Sequence, residues 1–258
     1  MLLRTTLLFC IVPAFCISQG LFPHPNAHSH NDYEHTRPLT EAILNGFVSV
    51  EADVHDENGK LLVSHDKPGK YSPTLEILYL SPLDSLLRIN DGFVYAGRKD
   101  TFYLMIDCKT EAEHTYQAIR KLVSSYPSLV CLSGHCPVKI FLSGNRAIRT
   151  MLNEGYAGIG IDGRPEDLGK GYSTEMMPVI SDHYRQWSSW NGKTMPGPQE
   201  FLAVRNLAAR VHAEGKKLRL WAIPDHEMGW SALLEAGVDI LNTDHLPELN
   251  HFLTGRGL

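Results

Sequence analysis

Apolar, β-rich runs recur along the chain and alternate with segments whose apolar residues have helical spacing. Eight runs have the composition of strands, and the first is short: Pro25–His30, Phe47–Val54, Phe102–Asp107, Val138–Ser143, Gly158–Asp162, Met177–Ser181, Leu218–Ile223 and Val238–Asn242. Helical patterns lie between most of these runs, and several stop at a glycine, a common residue just after a helix. Continuous apolar strands separated by helices indicate a parallel sheet that is covered on both faces.

The number of candidate strands predicts the fold class. Eight strands within about 235 residues match a (β/α)8 barrel, which is typically about 250 residues long. A doubly wound open sheet is the alternative, but no Gly-x-Gly-x-x-Gly follows the first strand, so the dinucleotide-binding fingerprint is missing. No repeat or low-complexity linker interrupts the chain. We therefore predict an α/β protein with a single (β/α)8 TIM barrel over residues 21–258.

Residues 1–20 have the pattern of a signal peptide. Arg4 gives a basic start, the apolar run Thr5–Phe15 follows, and small or polar residues extend to Gly20. The run is too short to span a bilayer, and the large Phe15 before Cys16 disfavours a lipid anchor at that cysteine. This pattern predicts an exported protein, periplasmic or secreted, with no transmembrane segment after removal of the signal.

Composition narrows the possible partners. The chain has 24 Lys and Arg against 29 Asp and Glu, a net charge of -5, and lacks the basic cluster that nucleic-acid binding requires. It also has 13 His, the side chain that titrates near neutral pH and often binds metals. Cys131 and Cys136 lie close together in the sequence, and they could form a disulfide or remain two thiols.

Two pairs of charged residues lie near the carboxyl ends of apolar strands. The active site of a (β/α)8 barrel lies at these ends. Glu51 and Asp53 share one face of their strand because side chains alternate along it. Buried carboxylates are costly unless they are paired or bind a metal, and this oxygen-rich pair suits Mg²⁺ or Ca²⁺. Asp107 and Lys109 share a face in the same way, which adds a third carboxylate and an ammonium group that could bind phosphate.

Histidines provide the candidate acid and base groups. His28 and His30 lie on the same face of the first predicted strand, and either could ligate a metal or transfer a proton. His65 follows the hairpin signal at residues 56–59 and would fold back over the rim of the barrel.

The order of these motifs resembles the glycerophosphodiester phosphodiesterase and phosphatidylinositol phospholipase C-like superfamily over most of the chain. The resemblance rests on the strand-end His, the segment Gly46–Val54, the pair His65-Asp66 and the segment Asp107–Thr110. His30-Asn31-Asp32-Tyr33, with Arg37-Pro38-Leu39, is most similar to a short bacterial branch related to the fungal altered inheritance of mitochondria protein 6. Asp107-Cys108-Lys109-Thr110 is also similar to the Asp-Leu-Lys-Thr of the spider sphingomyelinase D branch.

The resemblance implies a TIM barrel with one divalent cation, Mg²⁺ or Ca²⁺. Its carboxylate ligands would be Glu51, Asp53 and Asp107. The base and acid would be His30 and His65, with His28 as the alternative for the first position. The residues expected to bind a small-molecule or lipid phosphodiester are Lys109, Asn31 and Trp221. No protein partner is implied. The His-Arg-Gly typical of glycerophosphodiesterases is replaced by His30-Asn31-Asp32, so an expected phosphate-binding arginine is missing.

Two functions stand as alternatives to an exported, metal-dependent phosphodiesterase with histidine acid–base catalysis. His28-Ser29-His30 resembles the His-x-His pair of barrel amidohydrolases, and Asp244 could serve at the eighth strand. That chemistry needs further His ligands at the fifth and sixth strands, where only His183 is near. The non-enzymatic alternative is a barrel that binds a phosphorylated head group or a glycan.

Overall fold

The computed structural model describes residues 21–197 and 199–258, and in them nine strands form a single sheet in the order β1-β9-β8-β7-β6-β5-β4-β2-β3. β1 also pairs with β2, so eight parallel strands close into a barrel. The remaining strand, β3, pairs antiparallel with the end of β2 as a hairpin outside the barrel. The predicted (β/α)8 barrel is confirmed.

The strands agree with the apolar runs of the sequence to within a few residues. Their bounds are β1 His24–Ser29, β2 Phe47–Glu57, β3 Lys60–Val63, β4 Phe102–Cys108, β5 Val138–Gly144, β6 Ile159–Gly163, β7 Val179–His183, β8 Lys217–Trp221 and β9 Ile240–Thr243. β2 extends three residues beyond its apolar run because residues 54–57 pair with β3.

Helices cover the outside of the barrel. Their bounds are α1 Thr40–Leu44, α2 Ser81–Ile89, α3 Ala112–Val123, α4 Ile148–Glu154, α5 Leu202–Ala213, α6 Glu227–Glu235 and α7 Leu246–Arg256. The sequence pattern had not indicated α2 or α7. Among the residues described, none of the helices has the length and apolar character needed to cross a membrane.

Because side chains alternate between the two faces of each strand, those that point into the barrel form layers. An apolar layer is formed by Met105, Phe141, Val179 and Ile240. Two residues further along the same strands, and therefore on the same face, the layer becomes polar: Asp107, Ser143, Ser181 and Asn242. The apolar layer closes the bottom of the barrel, and the polar layer lies at the carboxyl ends of the strands.

The structure answers the question that the sequence left open for Cys131 and Cys136. Cys131 and Cys136 form a disulfide with a Cα–Cα distance of 5.5 Å. Cys108 is a buried free thiol whose pKa is raised by burial to about 12. The predicted signal peptide, residues 1–20, lies outside the described residues.

Candidate active site

The polar ends of the strands surround a cavity of about 390 Å³. The predicted site residues that line it are His30, Asn31, Glu51, His65, Asp107, Lys109 and Trp221. Asp53 is not a lining residue: it is fully buried and contacts Lys109, which lines the cavity. Strand ends of a closed barrel meet at one rim, which brings together residues that are far apart in the sequence.

The carboxylates of Glu51, Asp53 and Asp107 each offer an oxygen within 4.8 Å of the others. Asp53 and Asp107 are register partners on β2 and β4, and Glu51 lies two residues earlier on the same face of β2. Gly144, at φ 64°, leaves the space that Asp107 occupies, since a side chain there would collide with the Asp107 carboxylate. The strand pairing thus holds three carboxylates around one point.

Asp53 supplies the test of whether these residues suit a cation. Its Oδ2 accepts hydrogen bonds from the Tyr33 hydroxyl at 2.9 Å and from the Lys109 ammonium at 2.9 Å. Its Oδ1 is buried and has no hydrogen-bond partner among the described residues. Burial of a carboxylate oxygen without a hydrogen-bond donor costs free energy. Carboxylate oxygens are ligands of hard divalent cations, and such a cation would satisfy this oxygen. The site therefore fits one divalent cation.

The carboxylates differ in how readily they ionise. Burial raises the pKa of Asp53 and of Asp107, and the Lys109 ammonium opposes this only in part. Burial acts in the same direction on Glu51, but the guanidinium of Arg219 and the contact with His28 lower the pKa of Glu51 to about 2. A bound cation would favour ionisation of all three groups.

Arg219 is a charged residue of the site that the sequence reasoning missed. It is buried in the middle of β8, and its Nη2 donates to Glu51 Oε2 at 3.0 Å. Its Nε donates to Asn242 Oδ1 at 2.7 Å. The signal was present, because Arg219 alternates with Leu218 and Leu220 and so lies on the face opposite to these leucines.

The structure separates His28, which lies in β1, from His30, which follows that strand. His28 is fully buried, with its Nδ1 2.7 Å from Ser49 Oγ and its Nε2 3.4 Å from Glu51 Oε2. Burial and the nearby Arg219 lower the pKa of His28 to about 4, so its ring is neutral at physiological pH. His30 lines the cavity instead, and its Nδ1 lies 2.8 Å from Asp244 Oδ1. Of the two alternatives, His30 is the one in contact with the cavity.

His65 reaches the cavity from the turn after β3. The amide of Ser64 donates to the Asp53 carbonyl at 3.1 Å, and the ring of His55 contacts the Ser64 carbonyl at 3.1 Å. These contacts tie the turn to β2 and place His65 at the rim, with 58% of its side chain exposed. Asp66 next to it is almost completely exposed.

The residues that follow His30 hold the first loop in place. Asn31 has left-handed backbone angles, φ 44° and ψ 45°, which Asn tolerates better than most residues. Asp32 is buried and accepts hydrogen bonds from the Ser29 hydroxyl, the Leu39 amide and the Tyr79 hydroxyl. Asp32 is thus a structural residue of this loop, whereas Asn31 lines the cavity.

The wall opposite the carboxylates contains a second polar cluster that the sequence reasoning did not assign to the site. Asp162, at the end of β6, is fully buried and accepts hydrogen bonds from Ser143 at 2.8 Å, Ser181 at 2.5 Å and Arg164 at 2.8 Å. The guanidinium carbon of Arg164 lies 5.2 Å from the ring centroid of Trp221. Both Arg164 and Trp221 line the cavity.

The histidines needed by an amidohydrolase do not gather at this site. His183 packs edge-on against Trp221 and accepts a hydrogen bond from the Arg185 amide at 3.1 Å. Within residues 21–197 and 199–258, the group of potential ligands that converges on one point consists of carboxylates alone. The structure therefore gives the amidohydrolase alternative no support.

Comparisons with known proteins find relatives along most of the chain. A family model described as the AIM6-like phosphodiesterase domain matches residues 16–133. Altered inheritance of mitochondria protein 6 from Kluyveromyces lactis is 30% identical over 309 residues, which cover 92% of this chain and 74% of that protein. The protein of the same name from Lachancea thermotolerans is 26% identical over 281 residues, and the aligned part is 88% of this chain but only 65% of that relative.

A solved structure shares the fold. The crystal structure of a glycerophosphodiester phosphodiesterase from Parabacteroides distasonis superposes with a TM-score of 0.56 and 15% sequence identity. The superposition covers 92% of this chain and all of that one. At this identity the match supports the barrel fold and does not by itself define the substrate.

The relatives correct one prediction. The N-terminal pattern predicted an exported protein in the periplasm or outside the cell, but the matched relatives are fungal proteins that are named for the inheritance of mitochondria. The predicted export is therefore wrong. A short apolar run near the N-terminus does not by itself identify an export signal.

Proposed function

Because the chain belongs to the altered inheritance of mitochondria protein 6 family, we propose that its barrel is a phosphodiesterase that uses one divalent cation, Mg²⁺ or Ca²⁺. The observation that carries the proposal is the Oδ1 atom of Asp53, which is buried and has no hydrogen-bond partner in residues 21–197 and 199–258. It belongs to a group of three carboxylates beside a cavity that two histidines and a lysine line. A phosphodiester is anionic, so its cleavage needs positive charge beside the phosphate.

Glu51, Asp53 and Asp107 would hold the cation, which when bound would neutralise negative charge on the phosphate. Lys109 lies 2.9 Å from Asp53 and 3.4 Å from Asp107. Burial works against its charge, but the two carboxylates raise the pKa of Lys109, so it remains an ammonium. We assign Lys109 and Asn31 to the phosphate oxygens, and Trp221 to the alcohol part of the substrate.

His30 is the better placed base. Its contact with Asp244 favours the tautomer with the proton on Nδ1, which leaves Nε2 able to accept a proton. The nucleophile, a water or a neighbouring hydroxyl of the substrate, attacks phosphorus and gives its proton to His30 Nε2. The bond from phosphorus to the leaving oxygen breaks, and protonated His65 gives that oxygen its proton. The product is a phosphomonoester with water as nucleophile and a cyclic phosphate with a substrate hydroxyl.

Hydrolysis of bis(p-nitrophenyl) phosphate with and without a chelator tests the proposal. We expect turnover that stops on chelation and returns when Mg²⁺ or Ca²⁺ is added back. Absence of turnover both on this compound and on a diester with a neighbouring hydroxyl, such as glycerophosphocholine, would favour the barrel that only binds a head group or glycan. Turnover that survives exhaustive chelation would contradict the role of the three carboxylates.

A further inference from the structure

The wall formed by Arg164 and Trp221 has no part in the acid–base steps above, although both residues line the cavity. Arg164 follows β6 directly and Trp221 is the last residue of β8, so the two lie on opposite sides of β7 at the same rim. The Arg164 guanidinium lies over the Trp221 ring, with its carbon 5.2 Å from the centroid, and 19% of the Arg164 side chain is exposed. The indole face is thus covered by a fixed positive charge.

Asp162 fixes the position of this guanidinium. Arg164 Nη1 donates to Asp162 Oδ2 at 2.8 Å and to the Gly163 carbonyl at 3.0 Å. The Asp162 carboxylate is itself held by the hydroxyls of Ser143 and Ser181. The side-chain hydrogen bonds of Arg164 within the described part of the chain all leave from Nη1, so the N–H groups on Nε and Nη2 have no acceptor there.

The wall also carries more positive than negative charge at contact distance. Arg146 donates to the main-chain carbonyl of Asp162, and burial together with the charge of Arg164 lowers the pKa of Arg146. The Asp167 carboxylate accepts a hydrogen bond from the Arg164 amide through Oδ2 and is paired through Oδ1 with the Lys170 ammonium at 2.9 Å. Two guanidinium groups thus lie beside Asp162, with Arg164 bonded to its carboxylate and Arg146 to its main-chain carbonyl.

The residue after Trp221 has a backbone conformation that is consistent with a fixed binding wall. Ala222 has φ 56°, a left-handed conformation that non-glycine residues rarely adopt, and it lines the cavity. Strain of this kind is retained where the surrounding structure needs a particular direction of the chain. Here it turns the chain immediately after Trp221 and keeps the indole at the rim.

We propose that the Arg164–Trp221 wall selects the alcohol part of the phosphodiester by charge, accepting a hydroxylated or anionic group and rejecting a quaternary ammonium group. The inference rests on the proposed phosphodiesterase function. An open indole face would attract a quaternary ammonium ion, but here the guanidinium already occupies that face and repels a second cation. The free N–H groups of Arg164 can instead donate to hydroxyl, carboxylate or phosphate oxygens.

Three substrates, in which the varied group lies at the same distance from the ester oxygen, test this selection. The diesters join glycerol 3-phosphate to choline, to its neutral isostere 3,3-dimethylbutanol, or to 3-hydroxypropionate, and phosphorus NMR follows the loss of each diester whichever bond is cleaved. We expect the wild type to cleave the choline diester with a kcat/KM at least about tenfold below that of the neutral isostere, which corresponds to about 1.4 kcal/mol. The carboxylate diester should be cleaved at least as well as the neutral one.

Two variants assign the effect to the guanidinium. Arg164→Gln should raise kcat/KM for the choline diester relative to the neutral isostere and remove any advantage of the carboxylate diester. Arg164→Lys keeps the charge and should keep the discrimination against the choline diester. If Arg164→Gln fails to fold because Asp162 loses its partner, a loss of discrimination in Arg164→Lys would still contradict the inference. Arg120→Gln, which removes a surface partner of Glu154, is the matched control and should leave the preference unchanged.

The possible results separate this inference from the proposed function. A wild type that prefers the choline diester, or a preference that Arg164→Gln leaves unchanged, would overturn the inference while leaving a phosphodiesterase. If the wild type cleaves none of the diesters, the proposed function fails. The inference is then tested by calorimetric dissociation constants for the same three compounds. The choline diester must bind more weakly than the neutral isostere, and the carboxylate diester at least as tightly as the neutral one.

Discussion

The two walls of the cavity differ in whether their polar atoms are satisfied. On the wall formed by β2 and β4, Asp53 Oδ1 is buried without a hydrogen-bond partner in the part of the chain that the structure describes, and Lys109 is shared between two carboxylates. On the opposite wall, both oxygens of Asp162 have donors within 2.8 Å. An unsatisfied buried oxygen indicates a place for a ligand, whereas a satisfied network indicates a preorganised support. We therefore propose that the first wall receives a cation, and that the second holds Arg164 in one position.

Arg219 connects the two walls. It comes from β8, on the side of the barrel that carries Trp221, and contacts Glu51 on β2. The pair is buried on both sides, with 4% of the Arg219 and 7% of the Glu51 side chain exposed. The carboxylate wall is therefore held partly by a guanidinium from the other half of the barrel.

The largest expected effect concerns the rim, which belongs to neither wall. We expect His30→Ala and His65→Ala each to lower kcat by about 10²–10⁴-fold, the usual contribution of a general acid or base. Both side chains are partly exposed, so the midpoint of thermal unfolding should not change. His114→Ala, at an exposed position on α3, is the control for the loss of a histidine. Full activity in either rim variant would refute the assignment of acid and base.

A loss of stability is expected when the connection between the walls is broken. Arg219→Met leaves Glu51 as a buried, unpaired charge, and we expect the free energy of unfolding to fall by about 3–5 kcal/mol. The control Arg120→Met breaks the exposed pair with Glu154 and should cost less than about 1 kcal/mol. Urea denaturation measures both. An equal loss in the two variants would mean that Arg219 does not support Glu51.

The same two walls explain how far the sequence could predict the site. Glu51 and Asp53, like Asp107 and Lys109, lie two residues apart on one strand, so alternation alone reveals that each pair shares a face. Asp162 and Arg164 have the same spacing, and the structure pairs them, whereas Arg219 stands singly and its partner cannot be read from nearby residues. The contact between Arg219 and Glu51 joins positions 168 residues apart and exists only because the barrel closes. Repeated apolar runs predict the barrel, but not which polar residues face each other across it.

Removal of one ligand tests whether the carboxylate wall receives a cation. Asp53→Asn should lower kcat/KM by about 10²–10³-fold, since charge beside the phosphate would be lost. It should also weaken calorimetric binding of Mg²⁺ or Ca²⁺ without destabilising the apoprotein, because burial disfavours the Asp53 carboxylate in the first place. Asp100→Asn, at a carboxylate paired with Arg98 away from the cavity, is the control. Unchanged cation affinity in Asp53→Asn would exclude Asp53 as a ligand.

The smallest expected effect concerns the orientation of the Asp53 carboxylate, whose Oδ1 has no hydrogen-bond partner among the described residues. The Tyr33 hydroxyl donates to Oδ2, and burial together with the Asp53 charge raises the pKa of Tyr33, so the hydroxyl keeps its proton. Tyr33→Phe removes this donor while Lys109 still contacts Oδ2, so the carboxylate loses orientation but not charge. We expect cation affinity to fall by about tenfold, the usual cost of losing a hydrogen bond that orients a ligand. Tyr126→Phe, which removes a donor to the distant Glu76, is the matched control. If Tyr33→Phe lowers stability but leaves cation affinity unchanged, Tyr33 packs the first loop and does not position Asp53, and the unsatisfied oxygen would be held by β2 alone.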